Sequence, residues 1–112
     1  MLKKNYKGRC EKRALSKCQG ICKSYNALQY GFADMLQADS EIESFICNVS
    51  LDELDYTTDF VITKSSGDLM VRECVSRKLI SKPMNIKLLD LSREYWLKRG
   101  VNDWGIVTNA EE

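Results

Sequence analysis

Tyr56-Thr-Thr-Asp-Phe-Val-Ile-Thr63, Ser65-Ser-Gly-Asp68 and Leu69-Met-Val-Arg-Glu-Cys-Val75 together form the stretch on which the fold of this chain turns. The first run is rich in β-branched and aromatic side chains, which suit a pleated, half-buried surface, so it predicts a strand. The four residues that follow place Gly67 where a tight connection needs a positive φ, and the last run returns as the partner strand. One acid stands on each strand, Asp59 on the first and Glu73 on the second. Antiparallel pairing across so short a turn lets the two carboxylates converge on one edge of the sheet.

Upstream, the core is expected to start near Ser24, which can cap a helix from Tyr25 to about Gln37. Leu28, Phe32, Met35 and Leu36 recur at three- and four-residue spacing along one face of that helix. Asp39-Ser40 ends it, and Ile42, Phe45, Cys47 and Val49 mark a first strand; Asp52 to Asp55 then reads as a polar turn. Downstream, Pro83 opens a helix running from about Met84 to Arg99. Leu88, Leu89, Leu91, Tyr95 and Trp96 lie on one side of it, the spacing of a packing face. Gly100 provides the left-handed stop, and Trp104-Gly-Ile-Val-Thr108 makes a last short strand. A strand reached through a crossover helix pairs parallel to an earlier one, so the expected architecture is α/β, in the order αβββαβ, with a mixed central sheet flanked by helices.

A length of 112 residues suits one domain. Hydrophobic residues at 44% place the chain among globular rather than disordered sequences. No apolar run approaches the ~20 residues that cross a bilayer, and Met1-Leu-Lys-Lys-Asn5 lacks the apolar stretch of a signal peptide, so a cytoplasmic protein is expected. Histidine is absent, which removes Ser-His-Asp and Cys-His catalysis and leaves carboxylates, lysines and a hard metal ion as the available chemistry. The five cysteines are an odd set and are expected to be reduced. Cys18-x3-Cys22, with Cys10 upstream, offers thiolates to zinc but lacks a second pair at ligand spacing.

The net charge of +1 conceals an uneven distribution. Residues 1–23 carry Lys3, Lys4, Lys7, Arg9, Lys12, Arg13, Lys17 and Lys23 against the single acid Glu11, and read as a basic arm preceding a domain at 24–112. Such an arm is either a solvated tail or an electrostatic contact for nucleic-acid phosphates; for the second role the candidates are Lys3, Lys4, Lys7, Arg9, Lys12, Arg13 and Lys17.

The αβββαβ order, Thr58-Asp-Phe-Val61 and Val71-Arg-Glu73 resemble the PD-(D/E)XK nucleases, and in particular the N-terminal domain of TnsA-type transposon endonucleases. So do Leu88-Leu-Asp-Leu-Ser-Arg-Glu-Tyr-Trp96, Lys98-Arg-Gly100, Trp104-Gly-Ile-Val-Thr108 and the acid Glu111. The resemblance covers roughly residues 24–112 and is densest over 57–112. It implies a metal-dependent DNA endonuclease in which Asp59 and Glu73 hold Mg²⁺ or Mn²⁺, carboxylates around a hard cation neutralising the phosphate and activating water. It also implies a transposase and an ATPase regulator of a mobile element as protein partners.

Two positions depart from that pattern. Gln29 stands where the family's helix carries a glutamate, and Val75 where it carries the motif lysine. Valine does no acid-base or electrostatic work, so another cation must take the lysine's part; among Arg77, Lys78, Lys82 and Lys87, Lys78 is the preferred one. Asp59, Glu73, Gln29 and Lys78 are thus the candidate catalytic set. The alternative is a catalytically inactive DNA-binding or protein-interaction module that keeps the fold, with Asp59 and Glu73 serving turns and ion pairs.

Overall fold

The central hairpin forms as its residue types require. In the computed structural model, which describes residues 8–51 and 54–109, strand β4 (Tyr56–Lys64) runs antiparallel to β5 (Leu69–Cys74), with Phe60 opposite Arg72 and Thr63 opposite Leu69. Gly67 takes a φ of 95° in the connection, a conformation that costs a residue with a Cβ far more. On the outer side of β4 lies β3 (Ile42–Leu51), also antiparallel.

The return to the sheet runs through a short helix α2 (Arg77–Ile80) and a long helix α3 (Pro83–Lys98) to strand β6 (Asp103–Val107). Proline opens α3, where its missing N–H is no loss, and Gly100, at φ 84°, follows its last turn. β6 pairs parallel with β5, giving a four-stranded mixed sheet in the order β3-β4-β5-β6. The expected mixed α/β architecture is therefore present, with a mixed sheet and helices packed on it.

Helix α1 (Ala27–Ala38) buries Ala33 and Leu36 against Ile42, Phe45, Phe60 and Ile62, and Phe32 meets Phe60 edge to face at 5.1 Å. Helix α3 closes a second cluster, Leu88 with Leu51 and Tyr56, flanked by Leu91, Tyr95 and Trp96. Met35, expected on the packed face of α1, is instead 66% exposed. The cap of α1 is Asn26 rather than Ser24, its side chain accepting from Gln29 N–H at 2.9 Å. Ser24 is the last residue of a strand and is buried.

The expected boundary between an arm at 1–23 and a core from Ser24 falls inside a packed region among the described residues. Strand β1 (Glu11–Arg13) pairs antiparallel with β2 (Cys22–Ser24), and Cys18 and Cys22 are buried in the same cluster as Phe45. Gln19 N–H donates to the Phe45 carbonyl and Phe45 N–H to the Lys17 carbonyl, each at 2.9 Å, so the loop joining β1 to β2 lies along β3. Lys3, Lys4, Lys7, Asp52, Glu53 and Glu111 lie outside the described residues. Among the described residues, no helix is long and apolar enough to cross a membrane.

Candidate functional site

Backbone pairing between β4 and β5 stops at Phe60 and Arg72, and beyond it side chains take over. Glu73 Oε1 accepts the N–H of Asp59 at 3.0 Å, and Asp59 Oδ2 accepts the N–H of Cys74 at 2.6 Å. Each carboxylate thus clasps the backbone of the opposite strand. The remaining oxygens are also met: Asp59 Oδ1 by Gln29 Nε2 at 3.1 Å, and Glu73 Oε2 by the Ser92 hydroxyl at 2.6 Å. Charge-assisted bonds of this kind are about twice as strong as neutral ones and offset the desolvation of the carboxylates. Gln29 and Asp59 are each 1% exposed and Glu73 is wholly buried.

The orientation of Gln29 follows from its partners. Its Oε1 accepts the N–H of Tyr25 at 2.8 Å, a group that can only donate, so the amide nitrogen must face Asp59. From α3, Ser92 donates to Glu73 while accepting the indole N–H of Trp104 at 3.0 Å. The second tryptophan, Trp96, donates to Thr58 Oγ1 at 3.0 Å. Burial, reinforced by the charge of Glu73 and to a lesser degree Asp59, pushes the Tyr56 hydroxyl far above its usual range, so it keeps its proton beside the carboxylates.

Of the four residues expected to act together, the structure brings three into one corner: Asp59 and Glu73 from the hairpin and Gln29 from α1. Lys78 is not among them. It is exposed on α2 and takes no part in the bonds that hold the two acids. Val75 is half-buried just past the end of β5. Ser92, Trp104 and Tyr56 complete the corner and were not foreseen. The only sign of Ser92 in the sequence was a small polar residue four positions after Leu88, on the face of α3 read as apolar. A hard divalent ion requires several oxygens with available lone pairs; here donors already meet both carboxylates, and Gln29 turns its nitrogen toward Asp59.

Two groups of cations bear on phosphate binding. In the N-terminal segment, Arg13 is bound to Asp34 and stacks on the Tyr30 ring at 3.5 Å, while Lys17 Nζ donates to the Asp39 carbonyl. Arg9 and Lys12 are exposed and line a groove of about 980 Å³ with Tyr25, Asn26 and Tyr30. The second group follows the corner in the chain: between Glu73 and Asp90 stand Arg77, Lys78, Lys82 and Lys87, with no acid among them. All four are exposed, Arg77 and Lys78 on α2, Lys82 at the cap of α3 and Lys87 in its early turns, and Lys78, Lys82 and Lys87 enter no ion pair among the described residues. No protein-family model matches the chain, and no curated protein matches it.

Proposed function

We propose that this chain is a DNA-binding domain of the PD-(D/E)XK type, TnsA-like in descent, in which the nuclease corner has become a structural clasp, so that it holds DNA without cutting it. The observation that carries this reading is the arrangement of Gln29, Asp59 and Glu73. The three positions converge as a metal site would require, yet each carboxylate oxygen already accepts a bond, from Gln29, from Ser92 or from the backbone of the opposite strand. Valine occupies position 75, and Lys78 is exposed on α2 and bonded to neither acid, so neither position supports the motif lysine's role toward a scissile phosphate. The acid-free run from Cys74 to Leu89 carries four exposed cations, and Arg9 and Lys12 add two more; such groups bind phosphates by releasing counterions, with little regard to sequence.

The test is fluorescence anisotropy on labelled duplex and branched DNA across a salt series, paired with a cleavage assay in Mg²⁺ and in Mn²⁺. Binding that weakens with a logarithmic salt slope of roughly −4, as about five phosphate contacts would produce, together with intact DNA, is the expected result. Absence of binding at low salt refutes the DNA role. The convergence of the two acids favours a second reading, a metal-dependent endonuclease that opens this corner when DNA binds. Metal-dependent cleavage that is lost in Asp59→Asn would establish it. A transposase and an ATPase regulator are the partners this descent would bring.

A further inference from the structure

Three of the five cysteines meet in a place that the nuclease reading does not use. The sulfurs of Cys18, Cys22 and Cys47 all lie within 4.8 Å of one another, with Cys18 to Cys47 at 3.8 Å and Cys22 to Cys47 at 3.3 Å. They come from three separate segments: the β1–β2 loop, strand β2 and strand β3. Cys18-Gln-Gly-Ile-Cys22 turns tightly because Gly20 takes a φ of 81°, which brings two ligand positions to one side within the spacing common in zinc sites. Cys47 stands two residues beyond Phe45, on the same face of β3.

Two hydrogen-bonded clamps hold this meeting in place. The paired bonds of Phe45 with Lys17 and Gln19 fix the loop beside β3, and Asn48 Nδ2 donates to the Lys23 carbonyl at 2.8 Å, tying β2 to β3 next to Cys22 and Cys47. As small apolar fillers, cysteines need only carbon neighbours; these three instead face one another. Thiolates arranged tetrahedrally about an ion at ~2.3 Å stand about 3.8 Å apart, so closure from the distances seen needs movements of about 1 Å or less.

We propose that Cys18, Cys22 and Cys47 form a thiolate site for zinc, or an equally thiophilic ion, that staples the N-terminal segment to the edge of the sheet. Soft sulfur ligands exclude magnesium and manganese from this place. Binding converts three thiols to thiolates, releases three protons to solvent, and leaves a fourth position for water or another donor. Cys10 and Cys74 lie outside the cluster.

Cobalt substitution tests this on the native chain. Protein reduced, stripped of metal and titrated with Co²⁺ should show thiolate-to-cobalt charge transfer saturating at one equivalent, abolished by stoichiometric Zn²⁺. Zinc should also protect Cys18, Cys22 and Cys47, but not Cys10, from alkylation read by mass spectrometry. Cys47→Ser should weaken Co²⁺ binding by at least the ~10–100-fold that loss of a mere supporting contact costs, with Cys10→Ser unchanged. A native protein that shows five free thiols and no charge-transfer band overturns the proposal. So does a thiol count of three, which would mean a disulfide within the cluster.

Discussion

Replacing Gln29 by glutamate perturbs the corner at the atom that separates a clasp from a metal site. The variant keeps the acceptor for Tyr25 N–H but puts an oxygen where Nε2 now donates to Asp59 across 3.1 Å. Loss of a hydrogen bond to a charged group removes about 1.5–3 kcal/mol. Two buried carboxylates then face each other, and leaving a buried charge uncompensated brings the total to about 3–5 kcal/mol. For a domain of this size that corresponds to a fall in Tm on the order of 15 °C. Urea and thermal unfolding followed by circular dichroism at pH 7 in EDTA measure it. A cost under about 1 kcal/mol would refute the clasp, because it would mean that water reaches the corner and that Gln29 holds nothing there. Manganese provides the second half of the experiment. A third carboxylate should let the ion bind the folded variant and stabilise it by mass action, far more than it stabilises the native chain. If the descent is nucleolytic, adding Val75→Lys to Gln29→Glu should then yield metal-dependent cleavage.

Ser92→Ala strips Glu73 Oε2 and the Trp104 indole of one shared partner and should cost about 2–4 kcal/mol, read by denaturant titration with tryptophan fluorescence; a neutral effect would show that Ser92 is not buried between them. Lys78→Glu with Lys82→Glu should weaken DNA binding well over tenfold at low salt and flatten the salt slope by about 2, while leaving Tm nearly unchanged; equal binding would move the interface elsewhere. Hydrogen bonds from Lys64, then Arg72, hold the Asp103 carboxyl below its usual range. A depressed folded pKa contributes stability that is present above the unfolded value near ~4 and is lost as pH falls through the folded one. Asp103→Asn should therefore be less stable than the native chain at pH 7 and converge with it near pH 3 in urea titrations; a gap that persists in acid contradicts this account.

How much of the fold the sequence discloses depends on how local each cause is. The hairpin was legible because β-branched residues and Gly67 act within a few positions, and the parallel last strand because a crossover helix, stopped at Gly100, separates it from its partner. Convergence of Asp59, Glu73 and Gln29 followed from the resemblance together with hairpin geometry. The partners of those groups did not, since Ser92 arrives from α3 and Trp104 from β6 through contacts that no spacing encodes. β1 and β2 have three residues each, too few for a period of two to register, and the lysines around them argued for solvent. That hid the burial of Cys18 and Cys22, and with it their meeting with Cys47, which needs the loop laid along β3. Met35 fitted the helical period, but the buried face of α1 is set by Gln29, Ala33 and Leu36, and Met35 lies well round the helix from it, so it faces water.

The loop along β3 also governs how the domain behaves in a test tube. β3 is an outermost strand of ten residues, and the backbone of Lys17, Gln19 and Lys23 occupies part of its free side. A chain cut at Ser24, as the charge pattern alone would suggest, keeps the whole sheet but uncovers that side, leaving unpaired amides and carbonyls beside Phe45 and Cys47. An uncovered strand of this length recruits strands from other molecules. Truncation there should turn a monodisperse preparation into one that self-associates with concentration, whereas a shortened chain that keeps β1 and the loop after it, from Glu11 onward, should not.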